Sequence, residues 1–511
     1  MNIIGRYVGR LPRSDRLSPF QARSSRRAVL LGVAASGAYI ALPILIGTRA
    51  GSQLAVPGNV IRSGDFHSLR DAVALWSRTG GTLVVNADYE ETAPITMICV
   101  EGKSYRLTSD GPRTIAYAGP QYHWLFCVLS QGLNPFVIDG DLTFDGRDKC
   151  SMPFFARFEL VSGSRRRDFT VEGMTAKNAR MRRGVSPIDG SPANAYGATG
   201  MCFMGGFARL HLRRVKAQNA TREAGTGLAG SKGCIGIGVV AILSGTQSAR
   251  HVTIEDFEVA HVDSDDGPGT DARESMDGVL VFQSPEADGS RPIIQRGTIR
   301  EAAGRAIKVF APGGGGMTRD INVYRSVHGT TGGSNDIAHQ HGDGLIENII
   351  LYYSRDAHSQ PTSSIGMSSN AVRPAGFPFA EGVIRNITIN DTTGHPKRAV
   401  VSLYYNVRDS SPRRYILENI RDSGTAQYLL FPGSLGTFGD ADVQIHGASV
   451  NLTTGLLATE DHSRRLRVTA QGLVNRNPHP VPFKVFYNGI AAPPGHGGEF
   501  IADATVRGIE R

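Results

Sequence analysis

The chain has 511 residues, with 62 Gly, 26 Pro, 40% apolar and 20% charged residues. That is too much glycine for a helical bundle, without the strict period of collagen, and too many apolar residues for a disordered chain. The formal charge of +9 sits at the start: residues 1–50 carry eight Arg against Asp15, leaving 47 basic and 45 acidic residues elsewhere. A near-neutral body gives no electrostatic support to a nucleic-acid partner.

In chain order the first element is an address. Ser25-Arg26-Arg27-Ala28-Val29-Leu30-Leu31 leads into a run without charge to Ile46. This resembles the twin-arginine export signal, with a basic segment, a Gly/Ala-diluted apolar run and small residues at Thr48 and Ala50. Residues 1–50 are therefore expected to be a signal peptide, or an anchor if the 18-residue stretch 29–46 is retained. The expected location is the periplasm or beyond, with membrane contact only through that segment.

Next, residues 65–76 read as a short amphipathic helix, and Gly80-Gly81-Thr82-Leu83-Val84-Val85 as the strand that follows. Beyond it one theme recurs: an alternating apolar run, a polar pair often holding Asn, Asp or Glu, and a second alternating run. Copies begin at Phe136, Phe169, Leu210, Val252, Ile293, Ile321, Ile346, Ile384, Ile416 and Val443, separated by 25 to 42 residues. The short spacings suit one coil of three short strands, and the long ones a coil with a loop inserted at a corner. One coil cannot bury its apolar side alone, so coils must stack. A β-propeller would show four strands per blade, and a jelly roll would not need ten copies. The pattern predicts an all-β, right-handed parallel β-helix over residues 57–470, with 471–511 as a tail or cap.

The helix followed by GGTLVV and the repeats resembles the opening of pectin-lyase-like proteins. The resemblance covers roughly residues 57–450 and implies that the helix caps the first coil, because a solenoid end exposes unpaired edge and core. Fold does not name a reaction. Five cysteines (Cys99, Cys127, Cys150, Cys202, Cys234) fit no zinc spacing. Cys99, Cys127 and Cys150 recur at about one coil and are expected to stack as small buried residues, with a disulfide as the alternative in an oxidising compartment.

The densest polar segment runs from His261 through Asp263, Asp265, Asp266, Asp271, Arg273 and Glu274 to Asp277, six carboxylates within fifteen residues. Glycoside hydrolysis needs two carboxyls, one to protonate the leaving oxygen and one to activate water or attack carbon. The competing readings are a solvated loop and a calcium loop, although the full calcium pattern with a Glu at its twelfth place is missing. One coil on, if Ile307 and Val309 point inward, Lys308 points outward; Arg305 and Lys308 would neutralise a uronate or act as base. Further on, His339 and His341 alternate ahead of Asp343, which permits substrate contact or proton transfer. Arg165-Arg166-Arg167 and Arg180, Arg182 and Arg183 form a local basic concentration that would hold an acidic polymer or simply solvate a surface. No phosphate loop, dinucleotide fingerprint or nucleophile elbow is present.

Asp265-Asp266, Arg305-Ala-Ile-Lys308 and His341-Gly342 resemble the polygalacturonase site type. No Asn-Thr-Asp precedes the pair, and the His segment follows the Arg/Lys segment, so the resemblance implies a glycan-cleaving groove across coils without transferring individual roles. The expectation is an exported polysaccharide-degrading enzyme. Asp263, Asp265, Asp266, Asp277, Lys308 and His341 would be catalytic; Arg273, Arg305, His339 and Asp343 would bind substrate. No metal or cofactor is expected for a hydrolase. A polysaccharide lyase, which would call for calcium, a glycan-binding solenoid and a uronate epimerase are the alternatives. The oligomeric state is open.

Overall fold

The recurring theme folds as a bent strand. The computed structural model describes residues 59–130, 135–158, 167–182, 197–225, 233–240, 249–265, 276–283, 291–311, 315–325, 335–340, 344–354, 363–368, 381–404, 413–431, 441–459, 466–486 and 499–510. The expected export signal lies outside the described residues. Among the described residues, no helix is long and apolar enough to cross a membrane.

Among the described residues thirty strands belong to one sheet, and their pairings are parallel. His251–Ser264 pairs with Ile293–Ala302, and the stack continues through Gly316–Arg325, Gly344–Tyr353, Gly382–Asp391 and Arg413–Asp422. A second column stacks Thr199–Gly205, Ile235–Val240, Asp277–Phe282, Arg305–Phe310, Asn335–His339 and Ser363–Ser368. This is the parallel β-helix the repeats predict. Pairing runs on past residue 470, where Leu466–Asn475 meets Glu499–Ala502.

The polar pair of each repeat divides two tasks. Its second residue takes the left-handed conformation that bends the strand: Asp256, Arg296, Asp320, Asn348, Asn386 and Asn419 have φ between 52° and 57°. Asn and Asp reach that region at least cost among residues with a Cβ. These residues stack, and each side-chain amide donates to the coil before it: Asn348 Nδ2 donates to Asp320 Oδ1 at 2.8 Å, Asn386 to Asn348 at 3.0 Å and Asn419 to Asn386 at 3.1 Å. The first residue of the pair bonds across coils by charge, as Arg385 Nε does to Glu347 Oε1 at 2.7 Å.

The phase of the theme holds in the early coils, where Phe136, Phe169, Leu210 and Val252 stack directly. It slips by one at Ile293, which lies opposite Thr253, and again at Ile321, which lies beyond the bend in a strand that begins at Gly316. Glycine is required at that corner. Gly344 has φ 112°, and a Cβ there would sit 2.3 Å from the Gly316 carbonyl oxygen.

The helix Leu69–Thr79 plugs the first coil. Ser68 Oγ caps it by accepting from Asp71 N at 3.2 Å, while Leu69, Ala72, Val73 and Trp76 are buried. Trp76 packs edge-on to Tyr105 and Phe136, at 5.5 and 5.7 Å. All five cysteines are buried and free, but Cys99, Cys127 and Cys150 do not stack on one another as expected: Cys99 lies opposite Ser130, Cys127 opposite Phe155 and Cys150 opposite Tyr122. Burial pushes the Cys99 thiol up to about 11 and those of Cys202 and Cys234 to about 12, leaving them inert.

Candidate active site

The chemistry-bearing side chains collect at one corner, where each long strand ends and the second column begins. Arg180, Thr221 and Asp263 stand in register on three successive coils, as do Met181, Arg222 and Ser264. Arg180 Nη1 donates to Thr221 Oγ1 at 3.2 Å, and its other terminal nitrogen pairs with Asp265, 85 residues away. Arg222 Nε donates to Ser264 Oγ at 3.1 Å, and Ser264 N donates to Asp263 Oδ1 at 2.7 Å. Asp263 is buried, whereas Asp265 is exposed. Two carboxylates two residues apart thus meet different surroundings.

The second column contributes the next row. Asp277 sits opposite Arg305, and their side chains form a buried ion pair at 3.5 Å. The cation foreseen for a substrate is therefore spent on a carboxylate of its own chain. Ile307 and Val309 point into the core, so Lys308 faces outward, half-buried, as alternation requires. Phe282 and Phe310 stack along the same outer face at 4.4 Å.

His339 corrects the sequence reading. It lies in Asn335–His339 on the same side as Ile337, inside the coil, 1% exposed, with Nε2 2.9 Å from Thr318 Oγ1. Burial pulls its pKa down to about 3. It is a core residue, with almost no surface to offer a substrate. Arg167, placed in a surface basic cluster by the sequence, is also buried, with its guanidinium over the Tyr105 ring. Asp266, Arg273, His341 and Asp343 lie outside the described residues.

Thr221 and Arg222 were not singled out from the sequence. The usable signal is offset: Arg180, Thr221 and Asp263 each lie eleven residues beyond the start of their copy of the theme, at Phe169, Leu210 and Val252. Among the described residues no trio of His, Cys, Asp or Glu converges as a metal site would require.

On the neighbouring face an open hollow of about 430 Å³ is lined by Arg214, Lys216, Glu258, Thr298 and Arg300, among others. Arg300 covers the Tyr324 ring at 4.4 Å, and Tyr324 stacks on Tyr352 at 4.6 Å. Arg300 and Tyr352 occupy the Tyr324 ring faces, leaving mainly its edge for a ligand.

Fold and corner together define a parallel β-helix protein with an acidic and basic cluster built across coils. No family model matches the sequence, and no curated protein matches it. Among solved structures it is similar to the catalytic unit of the GH87 α-1,3-glucanase of Streptomyces thermodiastaticus strain HF3-3, at 13% identity and TM-score 0.39, over 91% of this chain and 71% of that one. A GH87 α-1,3-glucanase catalytic domain in complex with tetrasaccharides gives 10% identity and TM-score 0.34, over 90% and 69%. Likeness at that level speaks neither for a shared reaction nor for shared residues.

Proposed function

We propose that the protein is a polysaccharide-degrading glycoside hydrolase working outside the cytoplasm after twin-arginine export, with its site at the corner that holds Asp263 and Asp265. The observation that carries this reading is the gathering of Arg180, Arg222, Asp263 and Asp265 from three coils onto one edge, with one carboxylate buried and the other open to solvent. Hydrolysis of a glycosidic bond needs one carboxyl as acid and one as base or nucleophile, in unlike surroundings. Lys308, outward on the adjoining strand, supplies a cation to an acidic sugar.

The test is incubation of the purified protein with neutral and acidic polysaccharides, α-1,3-glucan among them. New reducing ends without ultraviolet-absorbing unsaturation are expected, and Asp265→Asn should lower the rate about a hundredfold or more. Unsaturated ends would mean a lyase. Full activity in Asp265→Asn would move the site elsewhere. Binding without cleavage would favour the glycan-binding reading, for which the hollow beside Arg300 is the specific observation.

A further inference from the structure

The long strands that approach the candidate site bend twice. Besides the bend common to all coils, Asn178, Asn219, His261 and Glu301 are left-handed, with φ of 58°, 56°, 59° and 53°, and the pairing register stacks them. Among the described residues, the strands from Gly316–Arg325 onward have no left-handed residue at this second bend. Asn is the inexpensive choice for this backbone, yet the third position is histidine. Left-handed residues other than glycine cluster at functional sites.

The hydrogen bonds of this column settle what that histidine presents. Asn178 Nδ2 donates to Asp145 Oδ1 at 2.8 Å, and a carboxylate can only accept. Asn178 is thereby oriented, so its Oδ1 accepts from Asn219 Nδ2 at 2.9 Å. Asn219 must then offer its own Oδ1 to His261 Nδ1, 3.3 Å away, and His261 must donate. Asp145, three coils back, thus fixes the neutral ring with its proton on Nδ1 and a bare lone pair on Nε2. No hydrogen bond to Nε2 is present among the described residues, and the side chain is exposed. Asp263 follows His261 on the same strand by roughly 7 Å, at about 3.3 Å per residue.

We propose that His261 contacts the glycan, its Nε2 accepting a hydrogen bond from a sugar hydroxyl. This rests on the hydrolase reading above and adds a specificity-determining residue to it. His261→Asn is the informative change, because Asn suits the left-handed backbone and its amide can take over the bond to Asn219, while nothing replaces Nε2. The expected result is an unchanged Tm with KM raised tenfold or more and kcat changed less.

Selective ¹⁵N-histidine spectra, with His261→Asn for assignment, should show a protonated Nδ1 and a bare Nε2 in the neutral ring. Asp145→Asn can donate as well as accept, so it should admit the other tautomer and raise KM several-fold. A proton resting on Nε2 in the unaltered protein, or KM and kcat within twofold of it in His261→Asn, would overturn the proposal. A protein that cleaves and binds no glycan at all sinks the hydrolase reading and this contact together; one that cleaves while His261→Asn matches it sinks the contact alone.

Discussion

Arg325 and Asp336 form an ion pair sealed from solvent, at 1% and 0% side-chain exposure, where the corner of the coil would otherwise be apolar. Tyr353 donates its hydroxyl to the same carboxylate, and Arg325 also reaches the carbonyl oxygens of Ala303 and Gly304, the residues just before Arg305. Two coils on, Lys397 is buried between Asp391 and Asp422, at 3.1 and 2.9 Å. Charge therefore runs through the interior alongside the candidate site.

Breaking the first of these pairs from one side should be costly. Arg325→Met leaves Asp336 charged and enclosed, and a loss of about 3–5 kcal/mol is expected in chemical denaturation. Replacing both, as Arg325→Met with Asp336→Leu, should restore most of it. A single variant as stable as the double would show that water or rearrangement rescues the carboxylate.

His339 gives a pH dependence with a definite sign. Burial holds its folded pKa at about 3, against about 6.5 for a free imidazole, so the unfolded chain binds the proton more readily between those values. Its contribution is complete above the unfolded pKa and is lost as pH falls towards the folded one. Between pH 6.5 and about 5, the unaltered protein should lose up to about 1.4 kcal/mol per pH unit more than His339→Met. Parallel stability curves for the two proteins would contradict this.

The amide column at the common bend predicts a graded series. Asn386→Ala loses both ladder bonds and forces a Cβ-bearing residue without local compensation into φ 56°, for a cost of about 1–2 kcal/mol. Asn386→Gly loses the bonds but not the conformational fit and should fall between. Thermal unfolding of the three proteins would rank them, and equal Tm values would remove the ladder from any account of stability.

How far the sequence carried depends on which physics was local. The bend is local: a charged or polar residue followed by Asn, Asp or Gly is visible in Glu347-Asn348, Arg385-Asn386 and Glu418-Asn419, and it marked the solenoid. The helical plug was equally legible from Ala72, Leu75 and Trp76, although it begins at Leu69, capped by Ser68, rather than at residue 65. The corner was only half legible, because Arg180 meets Asp265 through stacking that no window of sequence contains. His339 was misjudged for a simpler reason: Ile337, two residues before it, shows that the side of His339 is the core.

The amide column has a polarity, since Asn348 and Asn386 each hand a proton to the coil before and offer an oxygen to the coil after. Every such coil consequently has the same plug on one rim and the same socket on the other. Excising residues 344–381 in frame would bring Asn386 against Asp320 with donor and acceptor still matched. The molecule is in that sense written in interchangeable words, and its length is open to revision by whole words without rewriting the grammar that joins them.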